Sequence, residues 1–488
     1  MRTLIQGGWV VGYQHGHHAI LRDGVVVYEG GRILHVGPTF AGQVDRTVDA
    51  AGKLVAPGFV NLHSVANIDI QTLTLDCSEI GFAASRASAM EGGDPIELSG
   101  ERLRASARFS LLQALKAGST TIVESTTMAP ARFEVSRQEV PALVEAAQEL
   151  GARLYVSHKF RAGKRYMDDD GAWKIHWDVA AGRAGLAYGK EIVRRYEGAQ
   201  QDRIRTLLFP YQFDTCTPEL LAEVKAAGRE LNTAIHMHTS QTLAEFHECL
   251  HRTGRTPVQL LEQIGFLDQQ TILTHLLYTT LHPASGFPVH DDSDLRIVAD
   301  HGTTVVHCPV VYARRDRILD SFARYRSRGV HVVLGTDTYP QDMIEEMRWA
   351  SLGCKWQDRD ASHGSAADVF NAATLDGARA LHRDDIGRLA PGAKADIVII
   401  DFTKQHIGPV DDPIKTLVYV ANGTDVETVI VDGRVVIEQG VAPGVDETTL
   451  IAEAAEAHLW QAEQFVKHHP SGKSTQTLFP TSYPRVPQ

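Results

Sequence analysis

Five residues able to hold a divalent metal ion, His63, His238, His275, His307 and Asp337, each close a short apolar run. The first run is Ala56-Pro57-Gly58-Phe59-Val60-Asn61-Leu62-His63, which reads as a buried strand of a parallel sheet with its chemistry where the strand stops. Neutral imidazoles and a carboxylate suit Zn²⁺, Fe²⁺ or Mn²⁺, and the absence of cysteine partners fits a catalytic rather than a structural ion. Such an ion makes hydroxide available near neutral pH. Any one of these histidines has an ordinary reading as a hydrogen-bonded residue. Their recurrence at successive strand ends points to one site.

The elements that must position them alternate. Strand-like segments at 120–123, 153–156, 204–209, 233–235, 271–274, 303–306 and 331–334 follow the first run, separated by helical sequence at 96–116, 139–150, 179–197, 218–228, 242–264, 294–301 and 318–328. Eight strands alternating with helical sequence are the count for a TIM (β/α)8 barrel, whose C-terminal strand ends share one catalytic face. His63, His238, His275, His307 and Asp337 fall at the ends of strands one, five, six, seven and eight.

Both ends of the chain have another texture. The N-terminal stretch is β-rich with Gly-containing turns, and 426–431 pairs with 434–437 across Asp432-Gly433, a strong hairpin signal. The expected organisation is α/β: a barrel over 57–387, a small β-sandwich built from 1–56 and 388–445, and a C-terminal helix and tail over 446–488. His15-Gly16-His17-His18 reads as a solvated turn, and Lys159 as a loop residue beyond strand three.

Hydrophobic residues make up 43% of the 488 positions and charged ones 22%, as in a soluble globular protein. The net charge of −12 argues against nucleic acid. Five scattered cysteines, with no C-x-x-C, fit a reducing cytoplasm rather than a disulfide framework. No long apolar N-terminal region or membrane-span-length stretch stands out.

Several segments resemble the amidohydrolase superfamily, and within it the branch of triazine hydrolases and cytosine-type deaminases. They are Pro57-Gly58-Phe59-Val60-Asn61-Leu62-His63, Ile235-His236-Met237-His238-Thr239-Ser240, Leu273-Thr274-His275, Val306-His307-Cys308-Pro309, Leu334-Gly335-Thr336-Asp337 and the closing 386–398. The resemblance implies a metal-bearing barrel beside a β-sandwich, with His63, His238 and Asp337 as ligands. By position His275 contacts the ion or its water, and His307 faces substrate. The implied cofactor is one divalent ion, Zn²⁺ first, with Fe²⁺ or Mn²⁺ as alternatives. The expected partner is a small molecule, with no nucleic acid or membrane, and the expected assembly is a homo-oligomer, dimer or tetramer.

Two positions depart from the family. Its first motif is usually His-x-His, but position 65 is valine; the glutamate three residues after the strand-five histidine is here Gln241. A glutamine can hydrogen-bond substrate but cannot act as a general acid. The expected activity is hydrolysis of a C–N bond in an amide, urea, amidine or substituted heterocycle. Asp337 would carry the proton, His275 would hold the water or oxyanion, and Gln241 and His307 would meet substrate. A catalytically impaired binding protein, and a non-hydrolytic enzyme such as a decarboxylase, are the alternatives. Trp173, His176 and Trp177 in the long connection after strand three suggest an aromatic cover. Arg86, Arg161, Lys164, Arg165, Arg314 and Arg315 in loops of the catalytic face suggest an anionic substrate.

Overall fold

The computed structural model describes residues 1–66, 97–126, 132–167, 173–288, 290–314 and 317–467, together with Ser474, Thr477 and 480–483. Arg86, Arg315 and Cys77 lie outside the described residues, as does most of the connection after the first strand.

Two parallel four-stranded sheets carry the candidate residues. One contains β1 (Phe59–Ser64), β2 (Ser119–Ser125), β3 (Arg153–Ser157) and β4 (Ile204–Thr206), side by side in that order. The other contains β5 (Ile235–Thr239), β6 (Thr271–His275), β7 (Thr304–His307) and β8 (His331–Leu334). Isolated parallel bridges connect them, Leu208 with Ile235 and Gln212 with His238 on one side and Ser64 with Asp337 on the other. These strands are almost wholly buried, as expected when helices cover one face and side chains fill the other.

The terminal regions join in one eight-stranded sheet. Its path runs Arg434–Ile437, Val426–Val431, Ile397–Asp401, Lys53–Pro57, Arg2–Gln14, His17–Glu29 and Arg32–Gly37, with Arg46–Asp49 beside Arg2–Gln14. Its core includes Ile5, Val10, Val26, Ile33, Val55, Ile397 and Ile430. The expected hairpin forms: Asp432 and Gly433 have φ of 51° and 79°, the left-handed pair that a tight two-residue turn requires. Fully buried Arg153 at the base of β3 is ion-paired with Asp396, tying the parallel strands to the terminal sheet.

Some boundaries differ from expectation. The first apolar run serves two strands: Ala56 and Pro57 pair with Val398 and Ile397 in the terminal sheet, and β1 starts only at Phe59. The break falls at Gly58, where an added Cβ would collide with the Thr120 side chain. The helical stretch after β5 divides into Leu243–Thr253 and Pro257–Gln263, because Gly254 caps the first with φ of 69° and Thr256 opens the second with a capping box. Residues 157–178 hold more than a loop: Lys159–Phe160 pairs with Phe209–Pro210, and Gly163–Met167 forms a hairpin with Trp173–Trp177. The solvated-turn reading of residues 15–18 fails at His18, whose ring meets Thr374 Oγ1 at 3.0 Å and packs edge-on to Phe370.

Candidate metal centre

His63, His238 and His275 each offer a ring nitrogen within 4.8 Å of the others, and all three are buried. The Nε2 atoms of His63 and His238 stand 3.4 Å apart. Asp337 completes the group, with Oδ1 3.9 Å from His63 Nε2 and Oδ2 3.7 Å from His275 Nε2. Ends of β1, β5 and β6 and the residue pairing beyond β8 therefore meet at one point.

The tautomers suit a metal. His238 Nδ1 lies 2.7 Å from the Tyr211 carbonyl and donates to it, which leaves the Nε2 lone pair facing His63. Among the described residues, His63 Nδ1 and both His275 nitrogens are buried without a hydrogen-bond partner. Burial holds all three imidazoles neutral, well below their usual range, and their mutual proximity adds to this. Close-set neutral nitrogens beside a carboxylate are a donor set that fits Zn²⁺, Fe²⁺ or Mn²⁺.

The backbone is under local tension at the centre. His275 has φ of 82° and Asp337 of 55°, left-handed values that cost a non-glycine residue about 1–3 kcal/mol. A buried polar lattice holds the Asp337 side. Asn61 donates to Thr336 Oγ1 at 2.8 Å and accepts from the Thr336 amide at 3.1 Å. Gln341 accepts from Ser64 Oγ at 3.0 Å and donates to the Asp337 carbonyl at 3.2 Å.

The remaining predicted residues fall around this group. His307 is buried at the end of β7, its pKa lowered to about 3 by desolvation. Gln241 donates from Nε2 to the Tyr312 hydroxyl, and the Tyr312 ring packs edge-on to His275 at 4.7 Å. Val65 offers no ligand; its amide donates to the Asp337 carbonyl at 2.7 Å. The basic residues disperse: Arg165 donates to Asp214 at 2.6 Å, Arg314 donates to the Tyr339 carbonyl at 2.9 Å, and Lys164 lies 4.4 Å over the Phe133 ring. Lys159, expected in a loop, is buried between strands, and Arg161 is buried close by.

The Amidohydrolase family model matches residues 54–436. The chain belongs to that family. It is 32% identical over 442 residues to a 5-methylthioadenosine/S-adenosylhomocysteine deaminase of Thermococcus onnurineus, covering 90% of this chain and 94% of the relative. A zinc-bound adenosine deaminase structure from Xanthomonas campestris superposes with a TM-score of 0.78 at 22% identity, over 95% of this chain and 98% of the other. A variant of an atrazine chlorohydrolase from Arthrobacter aurescens, complexed with zinc and atraton, gives 0.79 at 21% identity, over 93% and 100%. The family and these fold matches make the parallel strands of this amidohydrolase a TIM barrel. It is a hydrolase of the class acting on carbon–nitrogen bonds other than peptide bonds, and it carries a candidate site for a divalent metal. No helix among the described residues is long and apolar enough to cross a membrane.

Sequence reasoning missed several residues around this amidohydrolase centre. Glu245 lies buried seven residues beyond His238 and accepts from the Ser240 amide at 2.9 Å, the Gln241 amide at 3.0 Å and Gln212 Nε2 at 2.9 Å. Burial pushes its pKa up to about 7. The available signal was its place in the first turn after a Thr242 N-cap, where a carboxylate meets free amides. Asn61 and Gln341 gave no local signal for their links across the barrel, since Asn61 meets Thr336 and Gln341 meets Ser64 across 275 and 277 residues.

Proposed function

We propose that the chain is a zinc-dependent hydrolase that cleaves a carbon–nitrogen bond in a small amide, urea, amidine or substituted N-heterocycle. The observation that carries this reading is the convergence of His63, His238 and His275 on one point beside Asp337. We assign these four as the metal ligands; the donor set suits zinc, and the zinc in two structures of like fold favours it over Fe²⁺ or Mn²⁺.

When bound, the ion supplies a Lewis acid and draws the pKa of a coordinated water toward neutrality. Asp337 accepts a proton from the attacking water and delivers it to the departing nitrogen. Its two oxygens face His63 and His275, so the carboxylate is already turned into the centre. In the alternative in which His275 stays off the ion, its ring holds the oxygen that gains charge as water adds. Gln241, with Tyr312, offers hydrogen bonds to substrate without exchanging a proton. His307 meets substrate as a neutral ring. A relative named for deamination of an adenosine derivative supports hydrolysis at a C–N bond. Gln241 moves the reading away from that particular substrate class.

The same proposal takes 57–387 as the barrel domain, completed by the bridges at Ser64–Asp337 and Leu208–Ile235. Residues 1–56 and 388–445 form the β-sandwich domain, and 446–488 the helix and tail. It takes the enzyme as cytoplasmic and homo-oligomeric. Trp349, Leu352 and Trp356, exposed on the helix Met343–Asp358, are apolar surface for a second copy to cover; light scattering tests this.

The test is turnover of an amide, urea and N-heterocycle panel in ¹⁸O-labelled water by the zinc-loaded chain. Solvent oxygen should enter one product, and Asp337→Ala should abolish the reaction. Turnover without label incorporation, or activity retained in Asp337→Ala, would overturn the proposal.

A further inference from the structure

β5 and β6 carry His238 and His275 at their ends, and the chain leaves both strands through strained backbone. Ser240, two residues beyond His238, has φ of 49°, and His275 and Leu276 have φ of 82° and 43°. Left-handed values at serine, histidine and leucine persist only where surrounding contacts hold them. The two exits are tied to each other. The Leu276 amide donates to the Thr239 carbonyl at 3.0 Å, and the Leu277 and Tyr278 amides donate to the Ser240 carbonyl at 3.1 and 3.2 Å. Whatever fixes Ser240 therefore steadies the ends of both strands.

Glu245 is that anchor. Its Oε1 accepts the Ser240 amide at 2.9 Å, and its Oε2 accepts the Gln241 amide at 3.0 Å and Gln212 Nε2 at 2.9 Å. The bond to Gln212 reaches the chain on the other side of β5. Gln212 forms a parallel bridge with His238, and Tyr211, just before it, accepts through one carbonyl both the His238 amide at 3.3 Å and His238 Nδ1 at 2.7 Å. One buried side chain thus grips the turn that follows His238 and the segment that sets the His238 tautomer. The helix Leu243–Thr253 has its own cap, since Thr242 Oγ1 accepts the Glu245 amide at 3.1 Å. A glutamate at the third helical position ordinarily reaches back to the amide of its cap residue. Glu245 instead takes the two amides that precede the cap, so its bonds serve the metal centre more than the helix. Both oxygens are occupied by donors from the protein, which makes this acid a holder and not a proton carrier.

We propose that Glu245 is a positioning residue for the metal centre: it fixes the end of β5 and, through Ser240, that of β6, so that the His238 and His275 rings are set before the ion arrives. The inference rests on the reading of the histidine cluster with Asp337 as that centre. It divides the duties beyond β5 between two side chains. Gln241 meets substrate, and Glu245 holds the turn from which Gln241 projects. Groups that orient metal-binding histidines from behind contribute about 10- to 100-fold in metal affinity, and Glu245, acting through backbone and Gln212, belongs at the lower end of that range.

The test measures zinc affinity of the full chain by competition with a fluorescent chelator, for the wild type, Glu245→Gln, Gln212→Met and Thr242→Ala. It is run at pH 8, above the value of about 7 to which burial raises the Glu245 carboxyl. Glu245→Gln keeps the volume but turns an NH₂ group toward N–H donors, and zinc should bind it about tenfold more weakly. Gln212→Met removes one of the three donors and should weaken zinc in the same direction, to a smaller extent. Thr242→Ala removes the cap of the same helix while leaving the carboxylate in place. It should lower the melting temperature and keep zinc affinity within about twofold of the wild type. Wild-type zinc affinity in Glu245→Gln overturns the proposal. So does an equal loss in Thr242→Ala, which would make helix stability the cause. A wild type that takes up no zinc fails the reading of the centre itself, a result distinct from a wild type and a Glu245 variant that bind zinc equally well. Should Glu245→Gln fold poorly, Gln212→Met decides, and unchanged zinc affinity there overturns the proposal.

Discussion

The amide of Asp337 donates to the carbonyl of His63 at 2.8 Å, while their side chains face each other with Oδ1 and Nε2 3.9 Å apart. One pair of residues thus both links the first and last parallel strands and forms one edge of the metal centre. The backbone link is independent of the carboxylate, so Asp337→Asn should fold normally. Its kcat should fall by about 10²–10⁴-fold, the usual contribution of a positioned proton carrier. His238→Ala should go further and lose the ion, because Nε2 of that ring lies only 3.4 Å from His63 Nε2. Elemental analysis of the purified variants checks this; wild-type metal content in His238→Ala would put the centre elsewhere.

Gln241 is one of the two positions, with Val65, at which this chain departs from the pattern it resembles. Its amide donates to the Tyr312 hydroxyl, and the Tyr312 ring lies against His275. A group that positions without exchanging protons should affect binding more than chemistry. Gln241→Ala is expected to raise KM more than it lowers kcat, with little change in melting temperature. Gln241→Glu adds an ionisable carboxyl where none exists and should add a new ionisation to the pH profile of kcat/KM. An unaltered profile would mean that position 241 does not face substrate.

Strand ends were legible because an apolar run that stops at a histidine is a local pattern. That pattern sufficed to bring His63, His238, His275 and Asp337 to one site. Lys159 was not legible: the strand resumes for only two residues beyond His158, too short a run to show its alternation in sequence. The lattice of Asn61, Thr336 and Gln341 was invisible because the contacts that tie it to the first strand, Asn61 with Thr336 and Ser64 with Gln341, join residues from opposite ends of the barrel. The hairpin after β3 was missed although Asp170-Gly171 lies between its strands, because its first strand mixes charged and aromatic side chains without the clear apolar–polar alternation of a half-buried strand. The ion pair of Arg153 with Asp396 was hidden for a similar reason: burial of an arginine at a strand base follows from a partner in another sheet.

His18 sets an acid limit on stability. Its ring is packed between the terminal sheet and the barrel, and burial lowers its pKa to about 4 from 6.5. Between those values the unfolded chain takes up a proton that the folded chain refuses. Stability is therefore fully present above pH 6.5 and is lost as pH falls toward 4, by up to about 3 kcal/mol from this residue. His18→Gln cannot titrate. Urea unfolding at pH 7.5 and pH 4.5 should show a smaller drop for that variant than for the wild type. Equal drops would remove His18 from the acid response.

The hairpin of Gly163–Met167 and Trp173–Trp177 is fastened toward the metal centre. Arg165 on its first strand donates to Asp214 at 2.6 Å, and Gln212, two residues earlier, forms a parallel bridge with His238. Trp177 crosses this hairpin near Gly163, where an added Cβ would come within 2.9 Å of its ring, yet 37% of it remains exposed. An exposed ring contributes little to folding, since substitutions at such positions usually change stability by less than about 0.5 kcal/mol. A cover over the reaction contributes instead by excluding water once substrate is bound. Trp177→Ala should therefore raise KM or lower kcat several-fold while the melting temperature moves by no more than about 2 °C. Differential scanning calorimetry run beside steady-state kinetics separates the two roles. A large fall in melting temperature with unchanged kinetics would make Trp177 a packing residue and leave the site without this cover.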